Sequence, residues 1–224
     1  MSKKMMLLAA GALTALAFAA LPAIASAGEW ESDPAGSTFT ASSVGKTFLT
    51  TTGENTVECA SSTGHGQYNA GSSTTGTIDL LFTGCKSAGT ACTTSGLTSG
   101  TITAAGNFTN GYLGSSPGTP LGVKIEGPNH GKLAEFKCAF GFVTVRVEGS
   151  VIGELEGAEC GEENTTFSIE FASTEPGHQK WMQFTESGEA TDLKSIQNNG
   201  TPETASQDGT GELHFTKSQT ITCP

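Results

Sequence analysis

Apolar residues return at every second position along much of this chain, in short runs that begin beyond Ser37. Val57 and Cys59 share a side that Thr56 and Glu58 oppose. Ile78, Leu80 and Phe82 share another, with Asp79 facing away. Ala134, Phe136, Cys138 and Phe140 point one way, Glu135 and Lys137 the other. Val143, Val145 and Val147 alternate with Thr144, Arg146 and Glu148; Phe167, Ile169 and Phe171 alternate with Thr166, Ser168 and Glu170. Leu213 and Phe215 alternate with Glu212 and His214. Each run has a dry side and a wet side, as strands do when one face of their sheet covers a core.

Turn signals separate the runs. Gly84 to Cys92 is a tight excursion, Gly114 to Pro120 mixes glycine with proline, and Gly127-Pro128-Asn129 and Asn199-Gly200 are turn sequences. Gly157 to Asn164 links a strand near Val151 to the one near Phe167. The spacing predicts an all-β domain of roughly ten short antiparallel strands, a β-sandwich or barrel. Only Glu189 to Gln197 suggests a short helix within it.

The N-terminal segment follows another rule. Lys3 and Lys4 precede an uncharged run from Met5 to Leu21, then Pro22 and the small residues Ala25-Ser26-Ala27. This is the order of a secretory signal helix, cleaved before Gly28. An uncleaved anchor is the rival reading, but 17 residues interrupted by Gly11 and Thr14 are near the short limit for a span. The organisation expected is a signal peptide at 1–27, a loose mature N-terminus at 28–36 carrying Trp30, and one β-sandwich-like domain at 37–224. Such a protein is secreted, extracellular or held in the cell envelope, with no transmembrane anchor after cleavage.

Charge narrows the partners. Removing Lys3 and Lys4 leaves 9 basic residues against 22 acidic ones, a net charge of −13. Nucleic-acid binding needs the opposite sign, because affinity comes from neutralising phosphates. A cell-wall or surface ligand remains compatible with an acidic exported surface.

Six cysteines beyond the signal meet an oxidising compartment and are read as structural disulfides. They allow fifteen pairings. Cys85 and Cys92 flank a short glycine-containing loop, which favours a local bridge, and Cys59 and Cys138 lie on core faces where a cross-link between strands could form. Cys160 with the penultimate residue Cys223 would tie down the C-terminus. No Cys-x-x-Cys and no zinc-type Cys/His spacing is present; His65, His130, His178 and His214 are scattered.

Candidate chemistry is sparse. Glu154, Glu156, Glu159, Glu162 and Glu163 crowd one segment, and carboxylates at that density could take Ca²⁺, the one metal or cofactor the sequence raises. Their spacing is not that of a calcium loop, so a solvated acidic loop is the plainer reading. Gly114-Ser115-Ser116-Pro117-Gly118 fits a hydrolase nucleophile elbow but lacks the strand and helix that elbow needs. Ser43 with Lys46 fits Ser-x-x-Lys, and Gly45-Lys46-Thr47 the end of a phosphate loop, each without its companions. Glu135, Glu148 and Glu170 alternate outward and could supply a carboxylate pair, although a wet sheet face has the same pattern.

The run Thr56-Val57-Glu58-Cys59, the stretch from Ile78 to Cys85, then Cys92, Phe136-Lys137-Cys138 and the stretch from Val147 to Ile152 carry a resemblance. Over about residues 50 to 190 the chain resembles a group of secreted actinobacterial proteins that share a cysteine, a Phe-Thr-Gly-Cys turn, a following cysteine and a Gly-Ser-Val-Ile strand. The resemblance implies export and an all-β fold. Counterparts of the first four cysteines recur in that group and those of Cys160 and Cys223 do not, which implies that these two pair with each other. The group has no established activity, so no functional residue carries over.

The expectation is therefore a disulfide-stabilised β domain with a structural or binding role, the alternative being an exported hydrolase with a carboxylate pair. Intact mass spectrometry of the exported protein should give residues 28–224 less six hydrogens, with no uptake of a thiol-alkylating reagent. Free thiols would remove the structural reading of the cysteines.

Overall fold

The computed structural model describes residues 30–114, 120–185 and 190–223. The expected signal helix and cleavage site, and residues 115–118 of the elbow-like motif, lie outside them. Among the described residues there are seventeen strands and no α-helix. The first seven are β1 (Glu31–Asp33), β2 (Thr38–Thr51), β3 (Thr56–Cys59), β4 (Ser61–Tyr68), β5 (Thr75–Thr83), β6 (Lys86–Ser87) and β7 (Thr90–Ala91). Then come β8 (Ile102–Tyr112), β9 (Leu121–Glu126), β10 (Lys132–Cys138), β11 (Val143–Glu148), β12 (Ser150–Glu156) and β13 (Glu163–Phe171). The last are β14 (Ser173–Glu175), β15 (His178–Gln179), β16 (Lys194–Gln197) and β17 (Glu203–Thr222).

Eight of them close a ring. β2, β4, β5, β8, β9, β12, β13 and β17 each pair antiparallel with the next, and β17 returns to β2. The ring order is the chain order, so this is an up-and-down barrel in which closure removes the free edges of a sheet. The expectation left sandwich and barrel open; the structure is a barrel. A second path joins the same two long strands: β8 meets β10, β10 meets β11, β11 meets β16, and β16 meets β17. Between β8 and β17 the wall thus has two tiers, one built from β9, β12 and β13 and the other from β10, β11 and β16.

One hydrophobic core runs through both tiers. At one end of the barrel Phe39, Tyr68, Phe108, Phe167 and Phe215 pack edge to face or tilted, with ring centroids 4.9–5.7 Å apart for four of their contacts. Buried polar groups there pair with one another. Asn110 donates to the Tyr68 hydroxyl at 3.1 Å and to the carbonyls of Trp30 and Ser73. Ser32 donates to Gln219 at 2.9 Å, and the Trp30 indole donates to the Gly122 carbonyl at 2.9 Å.

This end corrects one expectation. Residues 31–33, in the stretch read as loose, form β1 against Thr220–Thr222 of β17, and Trp30 is buried. A large indole and a strand partner outweigh the polar composition around them. Three further differences stand out. The strands are not uniformly short: β2, β8 and β17 have 14, 11 and 20 residues, because they serve both tiers. Residues 194–197, within the suggested helix, form β16. Phe140 does not continue the inward face of β10; the strand ends at Cys138 and the ring is exposed.

The disulfides are Cys59–Cys85, Cys92–Cys138 and Cys160–Cys223. The third is the expected pairing; Cys85–Cys92 and Cys59–Cys138 are not formed. Glu58 pairs with Lys86 across β3 and β6, Lys86 with Ala91 across β6 and β7, and Thr93 with Lys137. The four cysteines therefore form a row across neighbouring strand positions, Cys59, Cys85, Cys92, Cys138. Bonding the middle pair would leave Cys59 and Cys138 three strand spacings apart, roughly 14 Å, far beyond disulfide reach. Bonding the outer neighbours satisfies all four, with Cα separations of 3.9 and 4.1 Å.

Burial pushes the Tyr68 phenol up to about 12, against smaller opposing effects from its hydrogen bonds to Asn110 and Ser32. The folded state then keeps a proton that the unfolded chain releases near pH 10, so stability is complete below pH 10 and falls as pH rises toward 12. Urea unfolding between pH 9 and 11 should show a loss approaching about 1.4 kcal/mol per pH unit above 10 that is absent in Tyr68→Phe.

Candidate functional site

Along each barrel strand the inward positions alternate with outward ones, and many inward positions are small. Ala41 on β2, Gly64 and Gly66 on β4, Ala104 and Gly106 on β8, Gly153 on β12 and Gly211 on β17 all belong to this set. Some of the space is taken by neighbours. A Cβ at Gly66 would lie 2.0 Å from the tip of the Phe39 ring, and one at Gly153 within 2.9 Å of Ile169 and Phe171. The rest stays open as a cavity of about 170 Å³.

Apolar side chains dominate its wall, among them Leu80, Phe82, Ile125, Phe136, Ile169 and Leu213. The polar residues along it belong to β2, β4 and β17: Ser43, Thr47, Ser62 and Gln207, with Ser42 and Glu212 adjoining at the outward alternate positions, where the Glu212 carboxylate meets His214 at 3.2 Å. These strands flank the seam where the ring closes. The register of that seam slips between Asp208 and Thr210, at Gly209 with φ 146°. A side chain at Gly209 would crowd Thr47 at 2.9 Å. Ser43 already accepts a hydrogen bond from the Ser62 amide at 2.7 Å. The interior is thus a largely apolar chamber with one polar stripe. A much smaller space of about 20 Å³ lies among Trp30, Tyr68, Asn110 and Phe215, where the aromatic end of the barrel is nearly filled.

The acidic residues singled out from sequence are spread apart. Glu154 lies on β12, and its carboxylate accepts from the Lys180 ammonium at 2.9 Å and from the Trp181 indole at 2.9 Å. That hydrogen bond from Lys180 to Glu154 raises the lysine pKa above its ordinary value. Glu156 accepts from Ser168, the amide of Glu159 donates to the Glu162 carboxylate, and Glu163 begins β13. Among the described residues no group of three or more His, Cys, Asp or Glu side chains is placed to hold a metal ion.

The outward glutamates also have cationic neighbours. Glu135 pairs with Lys132 at 3.2 Å, Glu148 with Arg146 at 2.7 Å, and Glu170 lies 3.9 Å from Lys180. Glu154 and Glu170 face each other across β12 and β13 with Lys180 reaching both, which is the nearest approach to a carboxylate pair on the outer face.

The short motifs do not assemble. Ser43 points into the barrel while Lys46, three residues along a strand, points out and pairs with Glu58 at 2.8 Å. Gly45-Lys46-Thr47 lies within β2, not in a loop before a helix. Trp181 and Phe184 cover the outside of the barrel, Phe184 packing with Leu113 and Ile152 over Gly111.

The cavity itself escaped the sequence reading. Its signal is glycine or alanine recurring at period two, as in Gly64-His65-Gly66, where hydrophobicity marks no strand. Gly66→Ala should destabilise the fold by about 2 kcal/mol or more in urea unfolding, since the added methyl must displace the Phe39 ring; an unchanged midpoint would show that the ring moves freely.

Compared with known proteins, the chain matches no family model, no curated protein and no solved structure.

Proposed function

We propose that this chain is an exported, non-catalytic binding domain whose barrel holds one compact apolar molecule. The observation that carries the reading is the apolar chamber of about 170 Å³ behind a wall of small inward residues. Eight-stranded barrels have an interior just wide enough for side chains or one small ligand. Here the side chains leave the space unfilled. A dry cavity of about 150 Å³ accepts a ligand the size of benzene, so the occupant is a single ring or a short branched chain. A polar end on that molecule would face Ser43, Thr47 and Gln207 along the closing seam.

Export is supported by the signal-like N-terminus, by three disulfides and by the resemblance to secreted actinobacterial proteins. No helix among the described residues is long and apolar enough to cross a membrane.

The second reading, an exported hydrolase, rests on the facing pair Glu154 and Glu170. Both carboxylates are engaged by Lys180 on an outer barrel face, and Glu212, the one carboxylate residue among the described lining residues of the chamber, turns its side chain away to His214 at 3.2 Å. That favours binding over hydrolysis.

Toluene is a suitable probe. Near saturation it should raise the unfolding free energy of the mature protein by about 1–3 kcal/mol through binding to the native state alone. Ala104→Leu, which places a larger side chain at the cavity wall, should remove that increment while leaving the protein folded. An unchanged wild-type melting curve in toluene would overturn the reading. Calcium held by the acidic segment would appear in the same melts as a separate stabilisation reversed by chelator.

A further inference from the structure

Between β10 and β11 the chain turns through Ala139, Phe140 and Gly141, and Phe140 and Phe142 are 90% and 82% exposed. They are the two most exposed large hydrophobic side chains among the described residues. A lone exposed apolar residue needs no explanation. Two phenyl rings either side of one glycine, at the tip of a hairpin, are a different matter.

The turn is tied down. Cys138 immediately before it is bonded to Cys92, and the Phe142 amide donates to the Ala139 carbonyl at 3.1 Å. Ala139 and Phe140 both adopt left-handed backbone, with φ of 49° and 58°. That conformation is rare for a bulky residue and persists only where the surroundings impose it. The rings are thus held outward by a braced turn.

The surrounding charge differs from that of the rest of the molecule. The turn touches β7, Thr93 pairs with Lys137, and Asn198 bonds Thr144. The three segments that meet here, residues 84–101, 137–146 and 193–202, contain Lys86, Lys137, Arg146 and Lys194 and no Asp or Glu. Three of these cations meet acids just outside the segments: Lys86 lies 3.7 Å from Glu58, Arg146 2.7 Å from Glu148 and Lys194 2.9 Å from Asp192, so in a mature chain of net charge −13 this end is close to charge balance.

We propose that this turn inserts Phe140 and Phe142 into the interfacial region of a phospholipid bilayer and seats that end of the barrel on the membrane. Two rings offer far less than the roughly 800 Å² per partner of a standard protein interface. Insertion into lipid requires no complementary surface, only apolar side chains that leave water and a setting that anionic headgroups do not repel. An end whose acids are balanced by Lys86, Lys137, Arg146 and Lys194 supplies that setting. The proposal goes beyond the ligand-binding reading and does not depend on it. The two meet at Phe136, two residues before Cys138, whose side chain lines the chamber.

The test is flotation of the mature protein with vesicles of phosphatidylcholine, alone and mixed equally with phosphatidylglycerol. The wild type should float with both. Phe140→Ser with Phe142→Ser should lower partitioning on the order of 100-fold, tenfold for each ring, and Val44→Ser, at another exposed apolar position, should not. Phe140→Trp supplies a second readout: its emission should shift to the blue with vesicles and be quenched by brominated lipid. Failure of the wild type to float, equal flotation of the double variant, or tryptophan emission indifferent to lipid would each overturn the proposal. A wild-type dimer that the double variant converts to monomer, with no flotation, would assign the rings to a second copy of the chain instead.

Discussion

The hydrogen-bonded seam between β17 and β2 is the constraint on which the rest of this molecule depends. Without it the eight ring strands are an open meander with two long, unprotected edges, the arrangement most prone to pairing with other chains. With it, the inward faces of strands at opposite ends of the chain meet, as Phe39 does Phe215. β17 can do this because it is long. Its N-terminal part holds β16 and β2, its middle lies between β2 and β13, and its last residues lie between β13 and β1. One strand thus fixes both tiers of the wall and the N-terminal strap.

Closing a ring at this size sets a packing problem, because inward side chains from all sides converge on one axis. The chain answers it differently at different heights. Near Tyr68 the answer is aromatic packing around a satisfied polar network, with glycines at 66 and 76 admitting the Phe39 and Phe108 rings. Midway, alanines and glycines leave more room than their neighbours take, and the chamber results. The first end is nearly filled and the second is left open. Burying Asn110, Ser32 and Gln219 costs desolvation that is offset by the Ser32–Gln219 hydrogen bond and by those of Asn110 to Tyr68 and to the Trp30 and Ser73 carbonyls.

The runs with large inward residues were legible from sequence. Val57, Ile78, Phe136, Val145, Phe167 and Leu213 each lie on a strand with the face that alternation assigns. β4 was not, because its inward residues include Gly64 and Gly66, which carry no hydrophobic signal. The choice of barrel over sandwich was not, because it turns on a contact between the start and end of the domain that no local pattern encodes. The cysteine pairing failed for a related reason. Sequence distance favoured Cys85 with Cys92, whereas the strand register makes every neighbour in the row equally near and only one scheme leaves no sulfur stranded. The outward positions of Glu135, Glu148 and Glu170 were legible, and Glu135 and Glu148 meet cations of their own strands, Lys132 and Arg146, whereas Lys180 reaches Glu170 and Glu154 from another segment.

The strand that closes the ring is also the last strand among the described residues. β17 follows every other ring strand in the sequence, so the ring shuts only when strands from both ends of the domain are present together. Contacts this distant in sequence form slowly. On the proposed export route, that delay would keep the chain threadable during transport and postpone the final fold to the destination. β17 lying beside β13 brings Cys223 within bonding distance of Cys160, so their disulfide latches the end of the strand that closes the ring.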